Sequence, residues 1–265
     1  MKRALVKCTG GEAVQRVLFR GVALGLYLMG IGAGASPEAS GERAVMKRLR
    51  GLSVRGRPLC VFDVGANKGQ FAKVTETELA SVPHEVHAFE PGRHTFQCLA
   101  ESLAGRSHIH LNNVALGKQI GEERLYYDHP GSGLASLTKR NLDHLGIDFA
   151  GSEMVRVDTV DEYCSRHGIA HIDLLKLDVE GHELEVLQGA AQILAAGRVS
   201  LLTFEFGGCN IDTRTYLRDF YMLLARNRMK TLYRITPSGY LAAMPPYAEI
   251  WEQFRTTNFL AVFDA

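Results

Sequence analysis

The chain has 265 residues, 46% of them hydrophobic, and a formal net charge of +1 from 30 Lys and Arg against 29 Asp and Glu. That length buries the core of one domain with an N-terminal extension. The balanced charge, without blocks of one sign, excludes the broad basic field that holds nucleic acid.

The five cysteines, Cys8, Cys60, Cys98, Cys164 and Cys209, are scattered and form no Cys-x-x-Cys pair. They read as reduced thiols of a cytosolic protein, not as a disulfide frame or zinc site.

In chain order, residues 1–20 are basic, and Gly21 to Ala35 is apolar and glycine-rich, ending Ala33-Gly34-Ala35-Ser36. A positive start, an apolar stretch and an Ala-x-Ala site resemble a secretory signal. Glu12 inside the leader and glycines at 21, 25, 30, 32 and 34 oppose that reading. The run is also short of the roughly 20 residues that span a bilayer. The reading adopted is a cytosolic helical leader packing on the domain, ahead of membrane-surface docking and of export. Residues 1–52 are then leader and linker, with a small, polar stretch from Ala35 to Gly41 and a helix from Glu42 to Leu52, and residues 53–265 are the main domain.

From Leu59 strands and helices alternate. Strands are expected over 59–64, 84–89, 108–115, 153–157, 172–178, 199–206, 230–235 and 257–263, and helices over 70–80, 92–104, 159–167, 183–195 and 213–228. A polar hairpin is expected near 121–128, then irregular chain to Gly151. Ile172 to Leu177 and Val199 to Phe206 are nearly all apolar, as parallel strands covered on both faces are. Repeated strand and helix units imply a doubly wound α/β sheet.

The stretch from Cys60 to Gly69, CVFDVGANKG, reads as a buried strand, a glycine turn and a helix start, the layout of a nucleotide-type cofactor loop. Asp63 just before the loop would repel a pyrophosphate, so a cationic ligand is expected there; S-adenosylmethionine carries an ammonium and a sulfonium and no phosphate. The Gly-x-Gly-x-x-Gly and Gly-Lys-Ser/Thr spacings are both missing, which disfavours an NAD-dependent oxidoreductase and a phosphate loop.

Four strands end in an acid: Asp63, Glu90, Asp178 and Glu205. Gathered on one sheet edge, they call for a cationic or hydroxyl-rich ligand. Glu90 stands where an acid takes a ribose diol, with helix capping through Glu90-Pro91 as the alternative. Asn113 faces either the adenine edge or a turn. Asp178, Glu180 and His182 are the groups available to align an acceptor and take its proton, while Glu183 reads as a helix-start charge and His182 also as a structural residue. His108 and His110 alternate onto one strand face with no acid or cysteine to complete a cluster, so no metal site is assigned there. Magnesium held by Asp178, Glu180 and Glu205 with an acceptor diol stays open.

With these motifs the chain resembles the FkbM-type family of S-adenosylmethionine-dependent methyltransferases. The residues that carry the likeness are VFDVGANKGQF at 61–71, HAFEP at 87–91, NNVALG at 112–117, GSGLASL at 131–137, VDTVDEY at 157–163 and IDLLKLDVEGHELEVLQGA at 172–190. The resemblance covers about Leu59 to Phe263. It implies a class I, Rossmann-like methyltransferase fold: a seven-stranded, mostly parallel sheet with helices on both faces and an antiparallel last strand. It also implies O-methylation of a hydroxyl on a sugar, glycan or secondary metabolite; N-methylation and an inactive cofactor-fold binding protein are the alternatives. Carried over by position, Asp63, Gly65, Ala66, Asn67 and Gly69 hold the methionine end, Glu90 and Pro91 the ribose, and Asp178 and Glu180 the reacting side. Ser132, Ser136 and Glu205 line the acceptor pocket. Lys68 departs from the pattern, since many relatives carry an apolar or small residue there.

Overall fold

The computed structural model describes residues 9–33, 41–52 and 56–264. The basic start at 1–8, the linker up to Ser40 and the end of the Ala-x-Ala stretch lie outside the described residues.

The first helix, α1 (Glu12–Leu28), carries no buried residue, and only Ala23, Gly25 and Leu26 are half-buried. The expected packing of a helical leader on the domain is thereby corrected: the chain docks only after the helix, at Ile31 and Ala33, where Gly32 N–H donates to Thr256 O at 3.0 Å. In contrast, α2 (Glu42–Arg50) sinks Val45, Met46 and Leu49 into the core. Gly41 begins it at φ +69 without a side-chain cap.

The large sheet is built from β1 (Leu59–Val64), β2 (His84–Phe89), β3 (Ile109–Asn112), β7 (Ile172–Leu177), β8 (Val199–Phe206), β9 (Thr231–Ile235), β10 (Leu241–Ala243) and β11 (Thr257–Val262). Their order is β10-β9-β11-β8-β7-β1-β2-β3. The chain runs outward from β1 to β3, then crosses back so that β7 pairs with β1 in parallel. β11 enters antiparallel between β8 and β9. Seven of the eight expected strands form this sheet, the one expected over 153–157 falls in a separate three-stranded sheet, and β10 adds a short antiparallel edge.

Alternate residues of each inner strand feed opposite cores, because side chains along a strand alternate faces. Phe62, Val64, Leu175, Leu177, Leu202 and Phe204 join one cluster, and Val61, Leu174, Leu201 and Leu260 join the other. The first is covered by α5 (Val160–His167), α6 (Glu183–Gln188), α7 (Ala191–Ala195) and α9 (Leu217–Arg226); the second by α2, α3 (Gln70–Glu78) and α4 (Arg93–Ser102).

Four expectations break at identifiable contacts. The strand expected over 108–115 stops at Asn112 and resumes as β4 (Ala115–Leu116), which leaves the main sheet to pair with β6 (Gly151–Asp158). The hairpin expected near 121–128 is instead β5 (Gly121–Tyr127), paired antiparallel with the distant β6. The helix expected over 183–195 is broken because Gly189 packs against Gly117, where a Cβ would come within 2.0 Å of the Gly117 carbonyl oxygen. Asp161 then caps the restart, accepting from the N–H groups of Gln192 and Ile193 at 2.8 and 2.9 Å. The helix expected over 213–228 starts late: the short α8 (Cys209–Thr213) ends where it was to begin, and α9 opens at Leu217, where the N–H groups of Leu217 and Arg218 donate to Glu252.

Candidate active site

The glycine turn follows β1 at the point where strand order reverses, the usual ligand crevice of an open α/β sheet. Gly65 takes φ +80 and lies so close to the next strand end that a Cβ would stand 1.8 Å from the Asp178 carbonyl oxygen. The N–H groups of Gly65 and Ala66 donate to Phe89 O at 3.0 and 2.9 Å, and Asp178 N–H donates to Val64 O at 3.0 Å. These bonds draw the ends of β1, β2 and β7 together. Gly69, at φ +84, packs against Leu99 and Leu103 as it opens α3.

Asp63 is fully buried beneath the loop, and its Oδ1 accepts from Lys176 Nζ at 3.0 Å. Burial pushes its pKa up and Lys176 pulls it down. The cation that Asp63 demands is therefore already supplied by the protein, which corrects the inference that a ligand must provide it. Lys176 also lies 3.4 Å from Asp178 and 5.1 Å from the Phe71 ring centroid.

A narrow hollow of about 80 Å³ runs past Glu90 and Pro91, roofed by Leu116 and Leu125. Glu90 Oε1 accepts from Gly92 N–H at 2.9 Å and Oε2 from Asn67 N–H at 3.1 Å. Burial still dominates and raises its pKa to about 7. Asn113 does not face an adenine edge: its side-chain amide donates to the carbonyls of Glu90 and Pro91, both at 2.9 Å, and so staples the Glu90 loop. The serines are also corrected. Ser132 and Ser136 line the narrow hollow, not the large one, and their hydroxyls are engaged in the chain's own bonds. Ser132 Oγ accepts from Leu134 N–H, and Ser136 Oγ donates to Glu180 O at 2.8 Å, strapping the 131–137 segment over the site.

Beyond lies a cavity of about 870 Å³ bordered by Asp178, Glu180, Glu205, Lys176 and Arg140. Glu180 holds φ +52, uncommon for a residue with a side chain, and its carboxylate accepts from Arg140 Nη1 at 2.5 Å. Arg140 Nε lies 3.6 Å from Asp212. Burial, then Asp178, pushes the Glu180 pKa to about 8 against the pull of Arg140. Glu205 is likewise raised, first by burial and then by Asp178 and Glu180.

His182 is not poised as a base, because both ring nitrogens are engaged, one by the Thr138 hydroxyl at 2.9 Å and the other by Glu185. Glu183 does more than favour a helix dipole. Fully buried, it accepts from Val179 and Gly181 N–H at 3.0 and 3.2 Å and so shapes the turn that carries Asp178 and Glu180.

At the far end of β2 an acid does join the histidines: ligand atoms of Glu85, His87 and His110 lie within 4.8 Å of one another. The His87 and His110 rings stack at 4.6 Å and 17°, however, so their in-plane lone pairs run nearly parallel and do not converge on one ion.

Lys176 and Arg140 are the functional candidates that motif reading missed. A lysine inside the apolar run Ile172 to Leu177 was a legible signal, since a buried cation requires a paired acid. Arg140 sits in irregular chain and gave none.

The residues present fit S-adenosylmethionine. Glu90 offers a carboxylate to a diol, Leu116 and Leu125 offer apolar walls to a base, and Asn67 Oδ1 and Asp63 Oδ2 are buried acceptors without a hydrogen-bond partner among the described residues. Asn67, Asp178 and Glu180 border both hollows.

Comparison with known proteins agrees. The chain is 26% identical over 151 residues to the 2-O-methyltransferase NoeI of Sinorhizobium fredii, covering 52% of this chain and 60% of that one. It is 31% identical over 154 residues to the 31-O-demethyl-FK506 methyltransferase FkbM of Streptomyces tacrolimicus, covering 49% and 58%. It is 26% identical over 191 residues to the hexuronic acid methyltransferase AglP of Haloferax volcanii, covering 72% and 71%. The chain thus spans less than two thirds of the length of the first two relatives. The model of the methyltransferase FkbM domain matches residues 63–229, well over half of the chain, and the protein belongs to that family.

Proposed function

We propose that this protein transfers a methyl group from S-adenosylmethionine to a hydroxyl of a sugar, glycan or secondary metabolite. The observation that carries this reading is the junction at Asn67, Asp178 and Glu180, which border both the narrow hollow beside Glu90 and the large acid-lined cavity. When bound, the cofactor supplies a methyl on a cationic sulfur. Glu90 and Pro91 hold its ribose, and Asp63, Gly65, Ala66, Asn67 and Gly69 form and support the cradle for its amino-acid end.

The acceptor enters the cavity of about 870 Å³, where Glu205 lines the wall. Glu180 takes the hydroxyl proton, as a carboxylate with a pKa near 8 is matched to proton transfer near neutral pH. Arg140 holds the Glu180 carboxylate in place, and Asp178 stands beside it at the junction. No divalent ion is invoked. Because the cofactor is cytosolic, the reaction is assigned to the cytoplasm, with a small-molecule or glycan acceptor; among the described residues no helix is long and apolar enough to cross a membrane.

The test uses methyl-labelled cofactor with a library of sugars, glycans and secondary metabolites, following both labelled product and S-adenosylhomocysteine. Label on a hydroxyl oxygen is expected. Calorimetric cofactor binding without any labelled product would favour a scaffold role, label on nitrogen an N-methyltransferase, and no binding at all would remove the reading.

A further inference from the structure

Among the described residues the most exposed apolar surface is α1. Val17, Phe19 and Leu28 are 69%, 75% and 71% accessible, and none of the helix residues is buried. At the helical step of about 100° per residue, Val14, Val17, Leu18, Val22, Leu24 and Leu28 fall in one arc of roughly 160°. Glu12, Arg16 and Arg20 lie on the opposite side, which also carries the exposed rings of Phe19 and Tyr27. Monomeric soluble proteins rarely expose so continuous an apolar face.

We propose that α1 lies in the plane of an anionic lipid surface, with its apolar arc set into the headgroup boundary. Charge selects this occupant. Residues 1–37 carry five basic side chains, Lys2, Arg3, Lys7, Arg16 and Arg20, against Glu12 alone, while the rest of the chain is net acidic. An apolar face flanked by basic residues is the pattern of interfacial helices. The helix is too short and too charged to span. Its exit is anchored, since Ile31 and Ala33 are buried and Gly32 is bonded to Thr256. Gly32, Arg255 and Thr256 also border the large cavity, so docking brings that wall of the cavity beside the lipid. If the acceptor reading above holds, the hydroxyl is presented from a membrane-attached molecule; the docking itself does not depend on that reading.

The full chain is mixed with vesicles of phosphatidylcholine, alone or with phosphatidylglycerol, and floated on a density gradient. Flotation with the anionic vesicles is expected, weakened by salt. Val17→Glu with Leu24→Glu should lower the bound fraction about tenfold or more, since burying each apolar side chain supplies much of the affinity. Arg16→Glu with Arg20→Glu should lower it on anionic vesicles. Cofactor binding by calorimetry and thermal melting should stay unchanged in both variants, which separates docking from the methyl-transfer site. Absence of flotation on both vesicle types would overturn the proposal. So would a dimer in sedimentation equilibrium that Val17→Glu with Leu24→Glu dissolves, because the face would then belong to a second copy.

Discussion

Asp63 and Lys176 are register partners on neighbouring parallel strands, with Nζ 3.0 Å from Oδ1 and both side chains buried. The pair sits directly under the glycine turn, so its charge balance sets the foundation of the site. Removing one partner leaves a lone buried charge, whereas removing both leaves only a packing change. Lys176→Met is therefore expected to cost about 3–5 kcal/mol in chemical denaturation. Adding Asp63→Asn to that variant should restore a large part of the loss. An additive double variant would mean that the two side chains do not act as a pair.

Glycine has two separable roles in this fold, and one comparison distinguishes them. Gly65 and Gly105 hold nearly the same backbone, φ +80 and +81, but a Cβ at Gly65 meets the Asp178 carbonyl and one at Gly105 meets nothing within 4 Å. Gly105→Ala should cost about 1 kcal/mol, the usual penalty for a left-handed residue with a side chain. Gly65→Ala should cost several times more and abolish cofactor binding, since the loop and the Asp178 turn cannot both keep their places. Equal melting temperatures for the two variants would show that the close approach is not maintained in solution.

Glu90 already accepts two backbone N–H bonds, which hold its carboxylate in the narrow hollow. Glu90→Ala removes both the anchor and the acceptor for a ribose diol. Hydrogen bonds to charged groups are worth about 1.5–3 kcal/mol each, so calorimetry should report a loss of cofactor affinity of about a hundredfold or more. Unchanged affinity would take Glu90 out of the cofactor site.

Most of the fold was legible because the inner strands are covered on both faces, and their apolar runs mark them regardless of context. Element breaks were not legible. The interruption at Gly189 comes from the Gly117 carbonyl, far earlier in the chain, and the one after Asn112 accompanies the staple from Asn113 to the Glu90 loop, so no local window contains either cause. In the site, carboxylates at strand ends were found by spacing alone. What they face was not, because Lys176 and Arg140 neutralise part of the cluster from within, and Ser136 spends its hydroxyl on the Glu180 carbonyl instead of on a ligand.

Stability should fall with rising pH, and Glu183 is the reason that can be isolated. Its folded pKa stands at about 7, above the ordinary 4.5, chiefly through burial. The folded state thus holds the proton where the unfolded state has lost it, and stability present below pH 4.5 is lost as pH rises through about 7. A shift of that size corresponds to about 3 kcal/mol between pH 4.5 and 8. Glu90 and Glu180 are displaced in the same direction. Glu183→Gln keeps an oxygen for the Val179 and Gly181 N–H groups but carries no charge, so it should flatten the fall measured by urea denaturation. An unchanged slope would mean that Glu183 does not titrate in this range.

The pH dependence of turnover runs the opposite way. A carboxylate that takes a hydroxyl proton must be ionised, and Glu180 is held protonated up to about pH 8 by burial and by Asp178. Turnover with a saturating acceptor should therefore rise about tenfold per pH unit below that value and level off above it. Glu180→Gln should remove the rise and lower turnover by about 10²–10⁴-fold, the usual contribution of a positioned base. Cofactor affinity should barely change, because the cofactor contacts assigned here belong to other residues. Arg140→Met gives the complementary reading. Without the guanidinium at 2.5 Å the proton is held more tightly, so the rise should move to higher pH and keep its shape. A Glu180→Gln enzyme that retains the wild-type profile would transfer the role of base to Asp178 or Glu205, the other carboxylates bordering the same cavity.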